Sequence, residues 1–227
     1  MSFDIRSWMK CYMDTVLNTF GDRVVFIGLQ GSHGRGEAGE ESDIDAVLIL
    51  DRLDTDDLKT YRDAIASLPE QDKICGFVSG RPELALWERS DLFSFCYDTQ
   101  PLYGSIDYLF PLFEKTDVGR CVLNGACAVY HACCHNFVFE KDNNILRALQ
   151  KSAFFVLRAK HFYEKDVFVK RKSELLKCLS DEERAVLETD AEQFALLSEK
   201  LLTWAGGLIR EFGADDLNPR GAAENFC

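Results

Sequence analysis

Ile27-Gly-Leu-Gln-Gly31-Ser32-His33-Gly-Arg35-Gly-Glu37-Ala-Gly-Glu40-Glu-Ser42-Asp43-Ile44-Asp45-Ala-Val-Leu-Ile-Leu50 joins two apolar runs through a glycine-rich turn. The first run, Val24 to Leu29, is short, rich in β-branched residues and stopped by glycine, as a buried strand is. Gly31-Ser32 then reads as a tight strand-to-helix turn, where backbone N–H groups and a helix N-terminus favour a phosphate. Asp43 and Asp45 stand at the mouth of a second strand. Side chains alternate along a strand, so both carboxylates point the same way with Cα atoms about 6.6 Å apart. Two hard oxygen ligands at that spacing suit one Mg²⁺ or a bridged pair of ions.

A phosphate turn beside a divalent-metal site is the equipment for nucleotidyl transfer. Gly-Ser, the ten residues His33 to Ser42, and Asp43-Ile44-Asp45 resemble the signature of the DNA polymerase β-like nucleotidyltransferase superfamily. The finer pattern Gly-Ser-x-x-Arg-Gly-Glu-Ala…Ser-Asp-Ile-Asp is similar to its small bacterial members. The resemblance implies that Asp43 and Asp45 are catalytic metal ligands. It also implies that Gly31 and Ser32 hold the β- and γ-phosphates of a nucleoside triphosphate. Arg35 either pairs with triphosphate oxygens or bridges to Glu37 or Glu40 at the surface. His33, in the same loop, reads as solvated rather than catalytic.

Composition sets the class. At 227 residues the chain can bury a full core, and 47% hydrophobic with 28% charged residues is ordinary for a globular protein. No apolar run reaches the ~18 residues of a membrane span, and the first twenty residues lack a signal-peptide layout. A cytoplasmic protein is the expectation. The nine cysteines sit in apolar surroundings without regular spacing, so most read as reduced core residues. A net charge of −12 lacks the basic stripe that a long nucleic acid requires. The same charge could draw in a cationic acceptor, or serve solubility alone.

The expected fold is an α/β (α+β) nucleotidyltransferase core with a small mixed sheet over residues 1–110, then an all-α bundle over 111–213 and a polar tail over 214–227. In the core, Ser2 to Phe20 reads as an amphipathic helix carrying Trp8, Met9, Tyr12, Met13, Val16 and Leu17. Strands are expected at Arg23 to Leu29, Asp43 to Leu50, Lys73 to Val78 and, as an edge, Pro101 to Ser105. A helix between Asp54 and Leu68 could take Thr55 as its cap. Beyond residue 110 the pattern changes to helices at Asp117 to Phe139, Asn143 to Lys165, Arg171 to Leu179 and Ser180 to Phe212. Ser180-Asp-Glu-Glu183 is a capping sequence for the last of these.

A helical half joined to such a core resembles the bacterial aminoglycoside adenylyltransferases, in which a helical domain helps form the acceptor cleft. That resemblance implies transfer of AMP from ATP, with Mg²⁺ (two ions in the family), to a hydroxyl of a small-molecule acceptor. It also implies that Lys172, opening a helix after Phe168-Val-Lys-Arg, reaches the nucleotide phosphates; a basic surface patch is the alternative. One departure stands out. The family places a third acid on a neighbouring strand, but Lys73-Ile-Cys75-Gly-Phe-Val78 contains none. Asp72, Glu83, Asp91, Asp98 and Glu140 are substitutes among which the sequence does not choose.

Two other readings stand beside this one, the second kept open by that gap. One is an antitoxin-type protein that modifies or binds a protein partner, although such proteins are little more than the α/β core. The other is a nucleotide-sensing regulator that does not turn over. The toxin pattern Arg-x4–6-His is absent, since Arg158 and His161 are too close. Cys127, His131 and Cys134 share a helical face with soft ligands that suit zinc, yet Ala126, Ala128, Val129 and Ala132 suggest a tightly packed interior helix. A closed monomer and a homodimer both fit the sequence.

Overall fold

The computed structural model describes residues 3–217, and the chain divides into two compact units between Phe113 and Glu114. The first unit opens with α1 (Ile5–Phe20), capped by Asp4, whose carboxylate accepts from the Arg6 N–H. There follow β1 (Val24–Leu29), the short helix α2 (Gly31–Arg35), β2 (Ile44–Leu50) and α3 (Thr55–Ile65). Next come β3 (Ile74–Gly80), α4 (Arg81–Ala85), α5 (Arg89–Asp98) and β4 (Gln100–Gly104), with a 3-10 turn over Asp107–Leu112. Asp54, not Thr55, caps α3: its carboxylate accepts from the Asp56 and Asp57 N–H groups, and Asp57 returns the bond to the Asp54 N–H. Aspartate outcompetes threonine there because the box needs an acceptor one residue earlier.

The four strands lie in the order β3-β2-β1-β4. β1 runs antiparallel to both β2 and β4, whereas β2 and β3 are parallel, so the sheet is mixed. Strand alternation sends Ile44, Ala46, Leu48 and Leu50 to one face, where Trp8, Met9, Tyr12 and Val16 of α1 complete a buried core. Val47 and Ile49 face the other way, into a second core with Leu84 of α4 and Leu92 and Cys96 of α5. The register of β1 shifts between Val24 and Phe26, so Val24 serves the first core and Phe26 the second. β4 is fully exposed at the edge, where Pro101 costs no ladder bond that a neighbour would need.

The second unit is helical: α6 (Lys115–His135), α7 (Asn143–Lys165), α8 (Lys172–Leu175), α9 (Asp181–Glu188) and α10 (Phe194–Leu217). α6 ends in a π turn over Asn136–Glu140, and the buried Asn136 side chain exchanges two hydrogen bonds with the Asp142 backbone at 3.0 Å each. Leu146, Leu149, Ala153, Phe154 and Leu157 of α7 form the spine of its core, with Val129, Leu175, Val186, Leu197 and Leu201 packed around them. α6 and α7 approach closely at Gly125, where a Cβ would meet Val156 Cγ2 at 2.4 Å.

Four expectations are corrected. The helix expected over Ser180 to Phe212 is two helices, because the Gln150 amide of α7 donates to the carbonyls of Val186 (3.0 Å) and Thr189 (2.8 Å) and ends α9 there. The helix expected over Arg171 to Leu179 is only one turn. Ala214 to Leu217 of the expected tail continue α10, and residues 218–227 lie outside the described residues. Among the described residues most cysteines are not core residues: Cys96 and Cys133 are buried, but Cys11, Cys75, Cys127 and Cys178 are exposed. Among the described residues, no helix is long and apolar enough to cross a membrane.

Candidate active site

The two strands that flank the glycine turn bring it against the acids. Gln30 follows β1, and its N–H donates to the Asp45 carbonyl at 2.9 Å, so the start of α2 is stitched to the start of β2. Gly31 has φ +65, which glycine adopts at no steric cost. A Cβ there would lie 1.7 Å from Asp45 Oδ2 and 2.6 Å from its Cγ. The Asp45 carboxylate therefore occupies the space where any other residue at position 31 would put its side chain. Ser32 follows in the first turn of α2, whose N–H groups have no partner within the helix.

Asp43 is exposed just ahead of β2, and Asp45 is half-buried within it. Asp45 shares its sheet face with Val47 and so opens on the α4–α5 side. Among the described residues no three His, Cys, Asp or Glu side chains gather into a metal cage. Two carboxylates suit Mg²⁺ all the same, because that ion takes one or two protein carboxylates and fills its remaining positions with substrate phosphate oxygens and water. The donor set fits a metal that arrives with its nucleotide.

Arg35 ends α2 and is buried, with its Nε 3.4 Å from Glu37 Oε2 and its Nη1 3.2 Å from Asp98 Oδ2. The sequence left Glu37 and Glu40 as alternatives to the triphosphate; Asp98, sixty-three residues away, could be found only from the fold. His33 is half-buried with its ring edge-on to Phe3, at 5.5 Å between centroids. Lys172 opens α8 in the helical unit, where its ammonium donates to the Leu187 carbonyl at 3.2 Å. Cys127 and His131 lie on the exposed side of α6, and only the stripe through Val122, Ala126, Val129 and Cys133 is buried. The interior reading of that helix holds for one face.

The missing acid acquires an address. In the parallel ladder Asp45 is matched to Cys75, so the side chain beside Asp45 on β3 is an exposed thiol. The substitutes are spread apart in role: Asp98 faces Arg35, Asp91 lies in the first turn of α5, and Asp72 precedes β3. Glu83 Oε2 fills the space beside Gly80, at the far end of β3.

The small mixed sheet thus sets a Gly-Ser turn against a pair of strand-end acids. Residues 13–104 match the protein family described as a nucleotidyltransferase domain. Among solved structures the fold resembles the spectinomycin adenyltransferase AAD(9) from Enterococcus faecialis, crystallised with ATP and spectinomycin. That likeness has a TM-score of 0.55 at 11% identity, and covers 92% of this chain and 100% of the other. Comparison with curated protein sequences finds no match.

Proposed function

We propose that the protein is an Mg²⁺-dependent nucleotidyltransferase that moves AMP from ATP to a hydroxyl of a small, cationic, aminoglycoside-like acceptor. The observation that carries this reading is the Asp45 carboxylate set in the space that Gly31 leaves open. It puts an acid at the lip of a phosphate-binding turn, where only a cation makes close approach of a triphosphate favourable. The family match over residues 13–104 and the fold shared with an adenyltransferase support the same chemistry. The net charge of −12 supports a cationic acceptor.

In this reading the Gly31 and Ser32 N–H groups hold the β- and γ-phosphates, and Arg35 braces their turn from within the protein. Asp43 and Asp45 would hold Mg²⁺, which when bound neutralises phosphate charge and lowers the barrier to attack. The acceptor oxygen bonds to the α-phosphorus as pyrophosphate leaves, and the hydroxyl proton passes to a base that β3, with Cys75 at the matched position, does not supply. Lys172 is proposed as further counter-charge for the triphosphate, and residues 1–110 and 111–213 as the two functional domains.

Pyrophosphate release from Mg·ATP, with and without a panel of aminoglycosides and related aminated sugars, tests the reading. Acceptor-dependent release that is lost in Asp43→Ala/Asp45→Ala is expected. Undiminished Mg²⁺-dependent nucleotide binding by that double variant would sink the assignment. Lys172→Ala should weaken ATP binding without changing acceptor preference.

The thiol beside Asp45 favours a second reading, a nucleotide-binding regulator or antitoxin-type protein acting on a protein partner. Tight Mg·ATP binding without pyrophosphate release for any small acceptor would select it.

A further inference from the structure

The helix that carries the phosphate-binding turn has five residues, too few to hold its own shape in water. It is held from outside at both ends, and by two consecutive residues. Before its first residue, Gln30 Nε2 donates to Thr99 Oγ1 at 2.6 Å and approaches the Phe95 carbonyl at 3.4 Å. Thr99 Oγ1 in turn donates to the Phe95 carbonyl at 2.5 Å, which orients its acceptor lone pairs toward Gln30. At the last residue, Arg35 Nη1 meets Asp98 Oδ2 at 3.2 Å, with side chains only 8% and 14% exposed. Thr99 is also fitted to β1, since a Cβ on Gly28 would strike Thr99 Cγ2 at 2.6 Å.

We infer that Asp98 and Thr99, at the end of α5 and far from the Gly-Ser…Asp-x-Asp stretch, are positioning residues for nucleotide binding. They act through Arg35 and Gln30 to fix the Gly31–Ser32 turn against Asp45. The inference rests on the function proposed above. It gives Asp98 a part other than proton acceptor: its carboxylate helps to neutralise a buried guanidinium that Glu37 also approaches, and removing it leaves that charge less well compensated.

The test is calorimetric Mg·ATP binding by the full chain, paired with the pH profile of pyrophosphate release at saturating ATP. Asp98→Asn and Thr99→Val should each weaken Mg·ATP binding about tenfold or more, as the loss of one buried, hydrogen-bonded anchor does. Thr99→Ser, which keeps the hydroxyl, should bind as the parent does. The pH profile should keep its shape in Asp98→Asn. Gln30→Met removes the amide that meets Thr99 without touching α5, and carries the same binding prediction should the α5 variants fail to fold. Parent-like binding by Gln30→Met and Thr99→Val would overturn the inference, as would loss of a pH limb with unchanged binding in Asp98→Asn. A parent protein that binds no Mg·ATP would remove the proposed function and this inference with it, whereas equal binding by parent and variants removes the inference alone.

Discussion

Gly31 and Asp45 share one small space: a Cβ on the first would stand 1.7 Å from an oxygen of the second. Gly31→Ala must therefore push the carboxylate aside, and it also forces alanine to φ +65, at about 1–2 kcal/mol. Mg·ATP binding should fall at least about tenfold. In the Asp45→Ala background the collision disappears, so adding Gly31→Ala should cost only the backbone strain of about 1–2 kcal/mol. Additive melting-point losses in that double-mutant cycle would count against the shared space.

The thiols divide by burial. Burial pushes the Cys96 thiol up to about 12 and the Cys133 thiol up to about 11. Neither is a thiolate at pH 8, and neither meets solvent. Alkylation of the native protein should mark Cys11, Cys75, Cys127 and Cys178 first, and reach Cys96 and Cys133 only on unfolding. Mg·ATP should slow the labelling of Cys75 alone, because Cys75 is the ladder partner of Asp45. Peptide mass spectrometry with and without nucleotide reads this directly.

Lys160 lies between Glu164 and Glu183 in the helical unit, at 2.5 and 3.1 Å. Burial works against both charges of the Lys160–Glu183 pair. The Ser180 N–H and the Lys160 ammonium outweigh it at Glu183, whose pKa ends below its ordinary value. The two carboxylates outweigh it at Lys160, whose pKa ends above its ordinary value. Glu183 thus stabilises the fold fully above the ordinary carboxylate value, and the gain is lost as pH falls through its lowered native one. Lys160 contributes fully below the ordinary lysine value, and its share is lost as pH rises through its raised native one. Glu183→Gln should flatten the acid limb of the melting profile and cost up to about 1 kcal/mol at neutral pH: glutamine can still close the α9 capping box, and the ion pair with Lys160 is what is lost. An unchanged acid limb would refute it.

Gln150 ends α9 by holding two of its last carbonyls. Gln150→Leu keeps the volume and leaves those acceptors without their donor, at about 1–3 kcal/mol. Urea unfolding followed by far-ultraviolet circular dichroism should report that loss; a shift under about 0.5 kcal/mol would mean water serves the carbonyls equally well.

What the sequence disclosed and what it hid differ in range. The strand before Gly31, the strand after Asp43, the edge strand at Pro101 and the helix over Asn143 to Lys165 are written in local periodicity, and the structure contains them. The Gly-Ser turn and paired acids were legible because their spacing is local too. The break after α9 was not, because a side chain from another helix imposes it. The partner of Arg35 was not, because Asp98 reaches it only through the packing of α5 on the sheet. Cysteine burial misled for a related reason: apolar neighbours in sequence do not fix which side of a helix or strand faces inward, and Cys75 and Cys127 face out.

A helix of five residues whose two ends are fastened to α5 cannot fray by itself. Opening it requires Gln30 and Arg35 to let go of Thr99 and Asp98, so its backbone belongs to the same cooperative block as α5. The amide protons of Gly34 and Arg35 should then exchange with deuterium at the pace of the α5 interior rather than at the pace of a surface loop. A ligand meeting such a turn finds its shape already set, and the ordering cost falls on folding rather than on binding.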